Sequence, residues 1–167
     1  MEIGVGTGRF AAPLGVAYGI DPAFEMLAYA RQRGIKVLAA TAEALPFQSA
    51  AFDYALIVTT ICFVDDAKAT LDEAFRVIKA KGSLVIGFID RKSALGQDYL
   101  AHQAENVFYR DATFYSTAEI HALLQASGFK SLQWVQTLFR PLGEIKDIEP
   151  IQDGFDLGAF VAVRAQK

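Results

Sequence analysis

Glu2-Ile3-Gly4-Val5-Gly6-Thr7-Gly8 is the stretch of this chain whose residue types and spacing most plainly allow chemistry: an acidic residue, then glycines at alternate positions. Glycine has no Cβ, so such a backbone turns sharply and lets a ligand touch the main chain. A helix following the loop would aim its free N–H groups at that ligand. The spacing narrows what the ligand is. A dinucleotide fingerprint puts its third glycine three positions after the second, and here Gly8 comes one position too soon. The Gly-Lys-Ser/Thr of a phosphate-cradling loop is also missing. A ligand without phosphate fits better, and an NAD-dependent oxidoreductase conflicts with the spacing.

Gly19-Ile20-Asp21-Pro22 supplies a second feature. A carboxylate at the end of a second strand is where both hydroxyls of a ribose can donate to one acidic group. Asp21 follows Gly8 more closely than the roughly 20 residues of the dinucleotide fold, which implies a short intervening helix. Asp21 also reads as a helix N-cap with Pro22 as the first helical residue. The two roles are compatible, because a cap needs only one carboxylate oxygen.

Candidates for proton transfer are His102, His121, Tyr109 and Tyr115. His121 follows Ile120 in a helical pattern and reads as a solvated face residue, and His102 falls in a long connection or on the surface. Phe108-Tyr109 and Phe114-Tyr115 fit the wall of a substrate pocket or the core equally well. Cys62 reads as a small buried apolar residue. No His or Cys spacing of a metal site occurs, so none is expected.

The elements that must position these residues alternate between apolar β-rich runs and helical patterns. Strands are expected at Met1–Ile3, Val16–Ile20, Ile35–Ala40, Tyr54–Thr59, Ser83–Ile89, Phe129–Phe139 and Ala159–Ala165. Helices are expected from Gly8 to Leu14, from Asp21 to Gly34, and from Asp66 to Lys79 with Ala67, Leu71, Ala74, Phe75 and Ile78 on one face. Ser116-Thr-Ala-Glu119 is a capping box that opens another helix. Lys81-Gly82 reads as a turn. Two long connections, 90–115 and 140–156, are of a length usually reserved for function, and Tyr99–Val107 within the first has helical character. The order argues an α/β domain with a mostly parallel sheet and a terminal antiparallel hairpin.

At 167 residues the chain reads as one domain, 1–167. Its 53% hydrophobic content and mean hydropathy of +0.25 argue for a large buried sheet and against disorder. A net charge of −3 and a pI of 5.4, with no basic stripe, argue against a nucleic-acid partner. The longest apolar run, Tyr54 to Val64, falls well short of the about 20 residues that span a bilayer. A single cysteine excludes a disulfide framework and suits a cytoplasmic location. No signal peptide is visible at the start. The sequence sets no oligomeric state.

Taken together, Glu2-x-Gly4-x-Gly6-x-Gly8, Gly19-Ile-Asp-Pro22, Ala42-Glu-Ala-Leu-Pro-Phe47, Phe52-Asp53, Arg76-Val-Ile-Lys-Ala-Lys-Gly82, Phe114-Tyr-Ser-Thr-Ala-Glu119 and Ala126-Ser-Gly-Phe129 resemble the class I S-adenosylmethionine-dependent methyltransferases. The nearest type is the ubiquinone/menaquinone-biosynthesis-like group that acts on small molecules. The resemblance implies a Rossmann-like three-layer sandwich with a seven-stranded sheet in the order 3-2-1-4-5-7-6, the last strand antiparallel. It implies S-adenosylmethionine as cofactor, S-adenosylhomocysteine as product, and a small-molecule methyl acceptor. Gly4, Val5 and Gly6 would pass under the methionine part and ribose, and Glu2 would face the amino group. Asp21, beside Pro22, would hold the ribose hydroxyls, and Met26 would pack near the adenine. Thr41, Ala42 and Glu43 would border the adenine edge, Ala42 through its N–H. Thr59 would offer its carbonyl to the amino group. The family often has Asp where Thr41 stands, so the bond there should be weaker by about 1 kcal/mol. Ala80-Lys-Gly82 replaces the usual Pro-Gly-Gly turn. The lid helices that usually precede the first strand are absent, which leaves open an alternative: a truncated or non-catalytic relative that binds the cofactor without turnover.

Overall fold

In the computed structural model, which describes residues 1–167, every strand joins one sheet. The strands are β1 (Glu2–Ile3), β2 (Tyr18–Asp21), β3 (Lys36–Ala39), β4 (Phe52–Val58), β5 (Ile78–Ile89), β6 (Lys130–Thr137), β7 (Gln152–Asp153) and β8 (Phe160–Gln166). Their order across the sheet is β3-β2-β1-β4-β5-β8-β6-β7. β1 to β5 pair in parallel, while β8 runs antiparallel to both β5 and β6. This is the expected order with one addition. The short β7 extends the edge beside β6, pairing Val135 with Asp153 and Gln136 with Gln152. The buried Gln136 side chain makes it possible. Its Oε1 accepts from the N–H groups of Leu157 and Gly158 at 2.8 and 2.7 Å, and its Nε2 donates to the Asp153 carbonyl. A lone glutamine in a strand carries no signal of that role.

Helices cover both faces. They are α1 (Phe24–Gln32), α2 (Ala67–Val77), α3 (Ala94–Ala101) and α4 (Thr117–Ala126). Paired Ile3 and Ile20 enter the main core, which also holds Leu71 of α2 and Ile120 of α4. Neighbouring strand residues point to opposite faces. Gly19 accordingly faces the other way, toward Val5, in a smaller core completed by Ala11, Leu27, Ala30 and Ile35. α1 therefore lies opposite α2 and α4, and three layers result.

Local chemistry explains the ends of the helices. Asp66 caps α2 by accepting from the Ala69 N–H at 3.0 Å. The expected capping box opens α4: Ser116 accepts from the Glu119 N–H, and Glu119 accepts from the Ser116 N–H at 2.8 Å. Three expectations need correction. The stretch 8–14 forms turns rather than a helix, with Gly8 N–H donating to Val5 and Ala12 N–H to Gly8. Pro13 has no N–H to give a helix there, and the chain must turn back at Gly15 to enter β2. Second, α2 ends at Val77 and β5 begins at once, so Lys81-Gly82 is a kink inside a strand, with Lys81 at φ +66°. Third, the helical part of the 90–115 connection is α3, earlier than the expected Tyr99–Val107.

Candidate active site

The glycine loop leaves β1 and is fastened to the end of β2. The N–H groups of Gly4 and Val5 both donate to the Ile20 carbonyl at 2.8 Å. Gly6 N–H donates to Asp21 Oδ2 at 2.8 Å, and Ala23 N–H donates to Asp21 Oδ1 at 2.8 Å. Asp21 is thus not the cap of α1. The capping position is Ala23, without a side-chain bond, and Pro22 lies before the helix. Its carboxylate instead ties β2 to the loop, because the sharp turn leaves the Gly6 N–H without a backbone partner. Each oxygen keeps a further lone pair for a ligand hydroxyl.

Two glycines carry the loop's geometry. At Gly4 (φ +73°) an added Cβ would lie 2.0 Å from Thr60 Cγ2, so the backbone can meet β4's exit only without a side chain. At Gly6 (φ +49°) an added Cβ would meet nothing within 4 Å and would project into open space.

That space is a cavity of about 630 Å³ at the carboxyl ends of β1, β2, β3 and β4. This is where an open α/β sheet reverses direction and binds ligands. The glycine loop contributes Gly4, Gly6 and Thr7, and the end of β2 contributes Ile20, Asp21, Pro22, Ala23 and Met26. Thr41, Ala42 and Glu43 follow β3, and Thr60, Phe63, Val64 and Asp65 follow β4. The charged lining residues are Asp21, Glu43 and Asp65, with no lysine or arginine. Glu43 Oε1 also accepts from the N–H groups of Asp65 and Asp66 at 2.9 and 3.3 Å, joining the β3 and β4 exits across the cavity.

Of the residues singled out in the sequence, Gly4, Gly6, Asp21, Pro22, Met26, Thr41, Ala42 and Glu43 line this cavity. Glu2, Val5 and Thr59 do not. Val5 packs beneath the loop against Gly19. Glu2 is buried with Oε2 unpartnered, and its burial, outweighing the Ala11 N–H that opposes it, raises the carboxyl to about 7. Thr59 turns out of β4 at φ +55°, a strained value for a β-branched residue. The turn sends Thr60 to the cavity, where its hydroxyl donates to the Gly4 carbonyl at 3.1 Å, and sends Thr59 elsewhere. Thr60, Phe63, Val64 and Asp65 were missed, although their place just past a central strand was a usable signal.

Thr59 lines a second, smaller chamber of about 170 Å³ with Ile61, Cys62, Phe88, Ile89, Tyr99, Tyr109, Phe114 and Tyr115. The segment 59–64 is the wall between the two spaces. Phe63, which lines the larger cavity, stacks on Tyr109 of the smaller at 5.8 Å, and Tyr109 stacks on Tyr99 at 5.1 Å. Burial raises the pKa of both Tyr109 and Tyr115 above the usual phenol value, so their hydroxyls stay protonated near neutral pH. Burial also pushes the Cys62 thiol up to about 11. Neither histidine reaches this region. His102 is exposed at the end of α3 beside Asp98, and His121 stacks on Trp134. Phe108 is exposed rather than part of a wall.

Two of the sequence motifs hold one another. Arg76 donates to the carbonyls of Phe47 and Leu45 at 2.7 and 3.0 Å, and Glu73 accepts from the Leu45 N–H at 2.7 Å. Helix α2 thereby fixes the Ala42–Phe47 segment, whose start borders the cavity. No group of three or more His, Cys, Asp or Glu residues is arranged to hold a metal ion, and no helix is long and apolar enough to cross a membrane.

Comparison with known proteins matches residues 1–86 to the methyltransferase domain family. A solved S-adenosylmethionine-dependent methyltransferase of Thermotoga maritima, described as a possible histamine N-methyltransferase, is 48% identical with a TM-score of 0.98. The alignment covers 99% of this chain and 80% of that one. An uncharacterized protein of Methanocaldococcus jannaschii is 42% identical over 100% of this chain and 81% of its own length. One of Mycobacterium tuberculosis is 45% identical over 99% of this chain, which spans only 59% of that relative. The ubiquinone/menaquinone biosynthesis C-methyltransferase of Rickettsia bellii is 36% identical over 50% of this chain and 37% of its own length. The chain belongs to the methyltransferase domain family and is an S-adenosylmethionine-dependent methyltransferase.

Proposed function

We propose that the chain, as one domain over 1–167, transfers the methyl group of S-adenosylmethionine to a small-molecule acceptor, with the cofactor in the cavity over the glycine loop. The observation that carries this reading is the lining of that cavity. It is ringed by Asp21, Glu43 and Asp65 and has no cationic side chain. A ligand bearing positive charge and a ribose suits it, and a ligand bearing phosphates does not. The volume of about 630 Å³ falls within the roughly 300–1,000 Å³ of small-molecule sites. The side of Gly6 that lacks a Cβ is open for backbone contact.

When bound, the cofactor supplies an electrophilic methyl group on a sulfonium. The chain's residues then hold and orient it. Asp21 accepts from the ribose hydroxyls, and its bond to Gly6 keeps the loop and the ribose site in one register. Thr41 and Ala42 border the adenine, with Met26 against its face. Thr60, not Thr59, is the exit residue that faces the cofactor. The Glu2 carboxyl is buried in β1 outside the cavity lining, and an amino group bound in the cavity would favour its ionised form, which burial opposes. A displacement of this kind requires donor and acceptor in line at about 3–3.5 Å, with water excluded. The acceptor is proposed to be small because the chamber adjoining the cavity holds about 170 Å³. We place the protein in the cytoplasm because Cys62, its one cysteine, is a free thiol.

Titration calorimetry tests the reading. S-adenosylmethionine and S-adenosylhomocysteine should bind and NAD should not; binding of NAD in their place sinks it.

A further inference from the structure

We infer that Glu43 reads the base of the cofactor: the oxygen it leaves free accepts from the 6-amino group of adenine and makes the site selective for that base. The inference rests on the methyl-transfer reading above, with its ribose at Asp21, and adds a specificity-determining residue at the other end of the cavity.

Geometry singles out Glu43 among the acceptors there. The exits of β3 and β4 bring Thr41, Glu43 and Asp65 to that end, and each side chain can accept a hydrogen bond. Thr41 and Asp65 are exposed, and no hydrogen bond holds either side chain. Glu43 is half-buried and held. Its Oε1 accepts from the N–H groups of Asp65 and Asp66 at 2.9 and 3.3 Å, just ahead of α2. Its Oε2 has no partner in the protein, although Glu43 lines the cavity. The backbone that carries it is held as well, because Glu73 and Arg76 of α2 fix Leu45 and Phe47 a short way along the chain. A fixed carboxylate with one oxygen unsatisfied beside an open cavity is an acceptor placed in advance for a ligand donor.

Chemistry then selects the donor. An ionised carboxylate can only accept. On a purine edge an exocyclic amino group donates to it, whereas a carbonyl oxygen offers lone pairs that it repels. The N–H of Ala42, one residue earlier, makes no hydrogen bond in the protein and can only donate. Adenine carries a donor and an acceptor side by side, the 6-amino group and the neighbouring ring nitrogen. Glu43 Oε2 and the Ala42 N–H are their complements. Hypoxanthine reverses both, and a purine without the amino group leaves Glu43 unpaired, which is how a polar site rejects an analogue. The charge that Thr41 lacks is thereby supplied two residues further on.

The test measures binding of S-adenosylhomocysteine and two analogues by titration calorimetry, one with purine and one with hypoxanthine in place of adenine. The purine analogue keeps the ring nitrogen that faces Ala42, so its weaker binding reports the amino group alone. We expect the parent to bind it at least about tenfold more weakly than S-adenosylhomocysteine. In Glu43→Gln the amide oxygen stays with the Asp65 and Asp66 N–H groups, and the NH2 turns to the base. There the penalty should fall below roughly threefold, and the hypoxanthine analogue should bind more tightly than it binds the parent. Thr41→Val and Asp65→Asn should each keep the parent's penalty. Retained binding of the purine analogue reports that a variant is folded. A brace without a reading role weakens all three ligands by one factor, so an unchanged penalty in Glu43→Gln overturns the proposal. So does a penalty that vanishes in Thr41→Val or Asp65→Asn instead. A penalty below roughly threefold in the parent overturns it without any variant. If S-adenosylhomocysteine itself does not bind the parent, the methyl-transfer reading fails first, and the two failures are distinct.

Discussion

Replacing Glu2 with glutamine removes a carboxyl buried in β1, just before the glycine loop, and the consequence follows from its surroundings. The side chain is 1% exposed, with Oε2 unpartnered. Burial raises its pKa from 4.5 to about 7; the Ala11 N–H and the amino-terminal charge oppose this, and the Asp21 charge adds to it. The folded protein thus keeps a proton that the unfolded chain has already released. Below about pH 4.5 both forms are protonated and the site costs nothing. As pH rises from there, stability falls, and above about 7 the whole penalty is present. At about 1.4 kcal/mol per tenfold change in acidity, a rise from 4.5 to about 7 amounts to roughly 3 kcal/mol as a ceiling. Glu2→Gln mimics the neutral form and pays no such cost. Urea unfolding of both proteins from pH 4 to pH 8.5 measures it. The stability of the variant minus that of the parent should grow with pH by roughly 1–3 kcal/mol and level off above about 7. A difference constant within about 0.5 kcal/mol over that range would falsify the account of Glu2 as a carboxyl kept neutral by burial. The same ionisation should be favoured by a cationic ligand above the loop, so S-adenosylhomocysteine should bind the parent more tightly as pH rises through 7, and the variant should lack this trend.

Other substitutions separate bracing from binding. Asp21→Ala should weaken S-adenosylhomocysteine binding by about 1–3 kcal/mol and speed amide exchange at Gly6, whose N–H it anchors; unchanged calorimetry would make Asp21 a brace alone. Gly6→Ala should cost about 1–2 kcal/mol for an L-residue at φ +49° and put a methyl group into the open cavity. Folding should survive and binding should fail, and normal affinity would move the ligand off the loop. Arg76→Ala should leave the carbonyls of Leu45 and Phe47 short of donors and lower stability by about 1–3 kcal/mol in chemical denaturation. Ser116→Ala should remove the cap of α4 for about 1 kcal/mol, read as a lower melting temperature with cofactor affinity unchanged.

Much of this molecule was legible in its residues, because local rules governed it. The succession of strands and helices and the mostly parallel sheet followed from the alternation of apolar runs with helical patterns, the order of the strands from the family resemblance, and the start of α4 from one capping box. The glycine loop and Asp21 were readable as one site because glycine spacing and a strand-end carboxylate are local signals. Other features had no local cause. Asp21 looked like a helix cap, but the amide that recruits it belongs to Gly6, across the turn from β1 to β2. The stretch 8–14 had helical residues but stayed in turns, because the chain must return to pair Tyr18 with Lys36. Thr59 and Thr60 are identical in type, and only the positive φ at Thr59 decided which of them faces each cavity. The chamber itself is assembled from the exits of β4 and β5, α3, and the 106–115 connection, which are far apart along the chain. The sequence by itself determined the glycine loop and the strand-end carboxylate that face one cavity, since those features are written in neighbouring residues. The space beside the 59–64 segment was decided only when the fold brought Phe63 against Tyr109, because a pocket between distant segments exists only once their backbones have closed around it.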